Sequence, residues 1–264
     1  MQYEFLEIEK QGQVSTVWLN RPDLHNAFNE GVISELQAAL NAIEDDREVR
    51  VVVLAGRGKS FSAGADLNWM KKAGEAALED NVADACKLAN MLYTLSHLSK
   101  PTIARVHGAA LGGGMGLASA CDICVASTDA KFATSEVRLG LAPSTISPYV
   151  IRAIGERQAR RYFLTAERID TKTAQHIGLV HELCQPEDLD ATMDTVIQAI
   201  LQGAPEAQAA SKSLIDAVAT HPVDEDLITM TAEHIANLRT GLEAKEGLRA
   251  FLDKRVPAWI GGIS

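Results

Sequence analysis

The run Val51-Val52-Val53-Leu54-Ala55 offers water no polar side chain on either face. A strand of that kind is stable only with both faces covered, as an inner strand of a parallel sheet flanked by helices. The nearly continuous apolar stretch from Val49 to Ala55 therefore predicts strands alternating with helices, an α/β architecture. Its surroundings agree. Tyr3 to Glu9 and Gln13 to Leu19 read as two strands around a Gln11-Gly12 hairpin turn. Asn29 is a candidate N-cap, followed at helical spacing by Val32, Ile33, Leu36, Ala39, Leu40 and Ile43. Ala76 to Leu98 reads as mostly helical, and Thr102 to Val106 and Cys121 to Ala126 as further short strands. From Pro143 onward nearly everything reads as helix: 147–154, 156–164, 171–177, 189–201, 205–219, 224–238 and 242–253. No repeat or low-complexity tract marks off an independent second domain.

Two glycine-bearing loops follow two of the apolar runs. One is Ser60-Phe61-Ser62-Ala63-Gly64-Ala65-Asp66-Leu67, and the other is His107-Gly108-Ala109-Ala110-Leu111-Gly112-Gly113-Gly114-Met115-Gly116. Small residues between a strand and a helix let backbone approach a ligand and leave N–H groups free. Two such loops can aim two N–H donors at one oxygen, the construction of an oxyanion hole. Alone, either loop more often means close helix–strand packing with no ligand. Neither glycine run fits a dinucleotide fingerprint or a P-loop, and no G-x-S-x-G elbow is present.

Composition narrows the function classes. The net charge of −10 argues against non-specific nucleic-acid binding. No apolar span approaches the twenty residues a membrane helix needs, and the first residues lack a signal-peptide pattern, so a cytoplasmic protein is expected. Of the four cysteines, Cys121 and Cys124 form a C-x-x-C, but no second Cys or His pair stands at zinc-like spacing. With both in one strand they would point to opposite faces, so buried small hydrophobes are the expected role, and no metal site is expected.

Taken together, the motifs resemble those of the crotonase, or enoyl-CoA hydratase/isomerase, superfamily over nearly the whole chain. The resemblance rests on Leu19-Asn20-Arg21-Pro22 with Asn26-Ala27, Phe61 to Leu67, Val106 to Gly114, Ala120-Cys121-Asp122-Ile123 and Phe132 to Gly140. Arg152 to Gly155, Ala174 with Gly178-Leu179-Val180, and Phe251 to Arg255 complete it. It implies a spiral of ββα units over residues 1–200, and over 201–264 a helical region that builds a homotrimer or a hexamer. It implies an acyl-CoA substrate, with coenzyme A part of the substrate and no separate cofactor. The N–H groups of Ala65 and Gly113 would hold the thioester oxygen. Ala63, Gly64, Ala65, Asp66 and Leu67 would line the CoA site, which Phe251 and Lys254 would reach from a neighbouring subunit.

Glu136 is the acid/base by the same resemblance; on residue type alone it reads as a surface glutamate paired with Arg138. Familiar hydratases carry a second glutamate shortly after the triple glycine, and here that position is Gly116. A missing side chain there is expected to leave space for a water or a branched acyl group. The stretch after Pro143, with Asp66 to Lys72, resembles the bacterial methylglutaconyl-CoA hydratase branch of leucine breakdown. Hydration of a branched or carboxylated 2-enoyl-CoA is the leading expectation. The alternatives are a Δ3-Δ2 enoyl-CoA isomerase, suited by a single carboxylate, and a non-catalytic acyl-CoA- or RNA-binding member of the fold. For a second substrate carboxylate, Lys71, Lys72, Arg138 and Arg152 are available cations, none singled out.

Overall fold

The computed structural model describes residues 3–260. Its first element is a hairpin, β1 (Leu6–Gln11) and β2 (Val14–Leu19), with Gln11 opposite Val14 and Gly12 in the turn. Then follow α1 (Glu30–Asp45), β3 (Val51–Gly56), α2 (Leu67–Glu75), α3 (Leu78–Ser96), β4 (Thr102–Val106), β5 (Ala109–Leu111) and α4 (Gly113–Ala120). Next come β6 (Ile123–Ser127), β7 (Lys131–Ala133), α5 (Ser147–Thr165), β8 (Ile169–Asp170), α6 (Thr171–His176) and β9 (Glu182–Cys184). The chain continues through α7 (Leu189–Gln202), α8 (Pro205–Val218), α9 (Glu225–Thr240) and α10 (Leu242–Leu252).

The main sheet runs β1-β2-β3-β4-β6-β9, with every pair parallel except the initial hairpin. Its strands are covered on both faces, as the apolar run predicted. Val52, Leu54, Ala104, Val106, Cys124 and Ala126 join a core built with α1, α3, α4 and α5. Val51, Val53, Ala55, Ile103 and Val125 join a second core capped by Leu189, Met193, Ile197 and Leu201 of α7. The period-2 alternation along β3 thus divides one strand between two apolar layers.

A second sheet, β5-β7-β8, is extended by single bridges from Ser62 to Ala110 and from Phe28 to Ala65. The spiral follows from this. Each turn lays down a main-sheet strand, then a short second-sheet segment, then a helix: β2–Phe28–α1, β3–Ser62/Ala65–α2, β4–β5–α4 and β6–β7–α5. The glycine loops are therefore second-sheet segments, held side by side by hydrogen bonds rather than hanging free.

Local signals set several boundaries. Asn29 accepts the Val32 N–H at 2.9 Å and starts α1, as its position predicted. Gly155, at φ 75°, breaks α5 between the two helices expected over 147–154 and 156–164. The region after Pro143 is mostly helical, as expected, with two short strands: β8 pairs with β7, and β9, three residues long, pairs with β6 at the edge of the main sheet. One expectation is corrected. The strand expected from Cys121 starts instead at Ile123, and Cys121 ends α4. Both thiols are free and buried in the same core, so the opposite-face argument does not apply, although their role as buried hydrophobes does. Burial pushes the Cys124 thiol up to about 12 and raises that of Cys121 as well.

From α8 onward packing is thin. Ala250 is the one buried apolar residue described there, while Ile215, Ile228, Ile235, Leu248, Phe251 and Leu252 are exposed. Arg50 ties this region to the start of β3, donating to the carbonyls of Leu201, Gly203 and Trp259. No helix among the described residues is long and apolar enough to cross a membrane.

Candidate functional site

Gly64 determines where the Ala65 N–H points. In a regular strand alternate residues face the same side, so Ala63 and Ala65 would both face the neighbouring 25–28 segment. Ala63 does, donating to His25 O at 2.9 Å. Gly64, at φ +95°, resets the alternation in a conformation that L residues with side chains rarely adopt. Gly64 O then accepts from the Phe28 N–H, and the Asp66 N–H donates to Phe28 O, both at 2.7 Å. Ala65 between them is left with its N–H directed to the opposite side, toward the second loop. That loop is close: a Cβ on Gly64 would stand 3.0 Å from Leu111 O and 3.9 Å from Gly112 Cα.

Gly113 is the first residue of α4, so its N–H has no intrahelical acceptor. Gly112, at φ +49°, donates to Ala133 O at 2.8 Å, which ties the helix start to β7. Three residues past Ala133, Glu136 opens a short 3-10 turn over Glu136–Leu139. Its carboxyl returns to Gly112: a Cβ there would stand 3.2 Å from Glu136 Oε1. Glu136 Oε2 is buried and has no hydrogen-bond partner. Desolvation holds the carboxyl above the ordinary glutamate range, and its own backbone N–H offsets this only in part. The expected surface pair with Arg138 is absent, since Arg138 is exposed and forms none of the ion pairs among the described residues.

Two adjoining loops whose Ala65 and Gly113 N–H groups have no main-chain acceptor, beside an unpartnered carboxyl of raised pKa, suit stabilising an oxyanion while moving a proton at an adjacent carbon. Ala63, Gly64, Ala65, Gly113 and Glu136 are brought together. Asp66 adjoins them, but its carboxylate is engaged in the fold. It caps α2 through the Asn68 and Trp69 N–H groups and pairs with Arg21 at 3.0 Å, so its charge is matched. The cap and the Arg21 guanidinium hold it below the usual carboxylate range against the opposing effect of burial. Leu67 is 80% exposed at the start of α2. Phe251, 81% exposed, and Lys254 lie at the end of α10 and take no part in the contacts that join the two loops.

Gly116 overturns one expectation. No space stands open beside it. A Cβ there would come within 2.7 Å of Ile146 Cβ and closer still to Cγ2, and Ile146 is itself 2% exposed. Glycine at 116 is required by the approach of α4 to the start of α5. Gly116→Ala is expected to cost about 1–3 kcal/mol through overpacking. A lowered denaturant midpoint at unchanged m-value is the measurement that checks it.

Residues 9–262 match the family described as enoyl-CoA hydratase/isomerase. The short-chain-enoyl-CoA hydratase of Clostridium acetobutylicum is 35% identical, over 94% of each chain. The trans-2-decenoyl-[acyl-carrier-protein] isomerase of Streptococcus mutans is 31% identical, over 94% of this chain and 95% of its own. A crystal structure of an enoyl-CoA hydratase from Shewanella pealeana superposes with a TM-score of 0.95 at 43% identity, covering 98% of this chain and 97% of that one. The chain belongs to the enoyl-CoA hydratase/isomerase family.

Sequence reasoning missed two residues of the site's support, Phe28 and Ile146. A signal existed for Phe28. It is the apolar residue before the Asn29 cap, with Ile33 at the fourth helical position, the spacing of a hydrophobic staple. Ile146 carried no comparable signal, because its importance depends on which helix faces it.

Proposed function

We propose that this chain hydrates a branched or carboxylated 2-enoyl-CoA of the methylglutaconyl-CoA kind, with Glu136 as its single carboxyl acid/base. The observation that carries the proton-transfer role is Glu136 itself, with a buried unpartnered oxygen against the start of α4. The N–H groups of Ala65 and Gly113 take the thioester oxygen, which makes C3 electrophilic and stabilises the enolate that forms when a water oxygen bonds to C3. Glu136, ionised, takes a proton from that water and delivers it to C2, which regenerates the carboxylate and the thioester carbonyl. Support for a carboxylated acyl group comes from Arg138, an exposed cation in the same short turn as Glu136, whereas Arg152 is paired with Asp216 at 3.0 Å.

The packing of Gly116 on Ile146 favours a second reading, Δ3-Δ2 isomerisation, because one carboxylate is enough to carry a proton between C2 and C4. A product assay separates the two. Incubated with crotonyl-CoA, 3-methylglutaconyl-CoA and a 3-enoyl-CoA, the protein is expected to add water most rapidly to 3-methylglutaconyl-CoA. Double-bond migration in the 3-enoyl ester with no hydration of the others would establish the isomerase instead.

Residues 201–264 serve in this reading as an oligomerisation region. The exposed apolar residues of α9 and α10 are the kind of surface that symmetric interfaces cover. Light scattering at micromolar concentration is expected to give the mass of a trimer or hexamer. A monomer mass would remove both that assembly and the contribution of Phe251 and Lys254 to a neighbour's CoA site.

A further inference from the structure

Phe28 touches both halves of the site. Its backbone makes the two hydrogen bonds that turn Ala65 around, N–H to Gly64 O and O from the Asp66 N–H. Its ring lies beneath the other donor: a Cβ on Gly113 would stand 2.5 Å from Phe28 Cε2 and 2.8 Å from Cδ2. The ring is 2% exposed and packed in the main core, so it has little freedom to give way. The segment carrying it is pinned as well. Arg21 donates to Ala27 O at 2.6 Å and to the Asp66 carboxylate at 3.0 Å, bridging the two strands on either side of the Phe28–Ala65 contact.

We infer that Phe28 is a positioning residue which sets the separation of the Ala65 and Gly113 N–H donors, the backbone of one residue holding the first and its ring supporting the second. The inference rests on the reading that these two N–H groups receive the thioester oxygen. Two donors act on one oxygen only if both lie within hydrogen-bond reach, so an error of about 1 Å in their spacing weakens the hole while leaving the rest of the binding surface intact. A smaller side chain at 28 keeps the backbone bridge and withdraws the support under α4. Gly113 then settles toward the vacated volume and away from the oxygen.

The test uses butyryl-CoA, a saturated thioester that cannot be hydrated, and reads its carbonyl stretch by infrared difference spectroscopy. Bound to the native protein, the carbonyl is expected to absorb at lower frequency than in water, because two donors polarise it. In the graded series Phe28→Met, Phe28→Leu and Phe28→Ala the band is expected to move progressively back toward the free ester. Affinity for butyryl-CoA should change by less than about threefold, because these substitutions keep the main-chain hydrogen bonds between Phe28 and both Gly64 and Asp66 that hold the 63–67 segment in place. Turnover of the enoyl-CoA that the native protein processes fastest is expected to fall by about 10- to 10²-fold in Phe28→Leu, in kcat more than in KM. Leu36→Ala, which empties an equally buried position in α1, provides the control for general loosening and should keep the native band. Phe28→Met preserves most of the volume and keeps the test open if the alanine variant does not fold. Folded Phe28 variants that retain the full carbonyl shift would overturn the inference. A native protein that leaves the butyryl-CoA carbonyl unshifted would instead remove the oxyanion reading beneath it.

Discussion

Glu136→Gln is expected to lower kcat by about 10²–10⁴-fold with little change in affinity for a saturated acyl-CoA. The substitution keeps the shape and removes the proton-transfer capacity of a group whose Oε2 has no partner to lose. The same burial gives the native enzyme a pH signature. Glu136 must be ionised to act as a base, and desolvation holds its pKa above the ordinary value of 4.5, so the acidic limb of kcat/KM is expected above that value. Stability moves the other way. With a raised folded pKa, the folded state binds more protons than the unfolded state between the ordinary and the raised values. Stability is therefore lost as pH rises through that window, and Glu136→Gln is expected to escape the loss. At neutral pH the inactive variant should be the more stable protein. Denaturant midpoints measured on both proteins below and above the window check the sign. Equal midpoints throughout would mean that the carboxyl is solvated, and near-native turnover in the variant would remove Glu136 from the mechanism.

Gly113→Pro is expected to lower kcat by at least about 10²–10³-fold, the usual cost of one oxyanion donor. Proline removes the N–H and tolerates the first position of a helix, so α4 itself can survive the change. The added ring carbons nevertheless press on Phe28, which lies 2.5 Å from where a Cβ would stand. Gly113→Ala separates the two effects, because it carries the same Cβ and keeps the donor. The alanine variant should lose stability and retain a larger share of turnover. The further drop from alanine to proline, read as kcat on proteins with comparable far-ultraviolet circular dichroism, measures the donor. If alanine and proline variants were equally slow, packing against Phe28 would account for the loss and the thioester oxygen would have to bind elsewhere.

Much of this molecule was legible where short-range chemistry decides the outcome. The Asn29 cap, the limits of β4 at Thr102 and Val106, and the break at Gly155 each depend on a few consecutive residues. What stayed hidden depends on partners distant in sequence. β9 is three residues long and exists because β6 offers it an edge some sixty positions earlier. β5, β7 and β8, of two or three residues each, carry no periodicity to read, yet they align the loops of the site. Ala65, Gly113 and Glu136 became candidates through the resemblance of their motifs, since nothing local reveals that Glu136 Oε2 is buried. The expectation of free space at Gly116 failed for a related reason. A glycine in a sequence is compatible with a void or with a tight contact, and only the neighbour, Ile146, distinguishes them.

The contact between Gly116 and Ile146 also bears on how such a site changes over generations. An acidic residue at 116, as in the two-glutamate hydratases, meets a packing cost at once, because its Cβ already overlaps a buried isoleucine. Shrinking Ile146 makes room for glutamate at 116, but at a cavity cost of about 2–5 kcal/mol for Ile→Ala. Each change is costly alone and each relieves the packing cost of the other, which couples one residue of α4 to one at the entrance to α5. A lineage holding this pair reaches glutamate at 116 through a less stable intermediate, and directed evolution from this sequence should get there faster from a stabilised parent than from the native one.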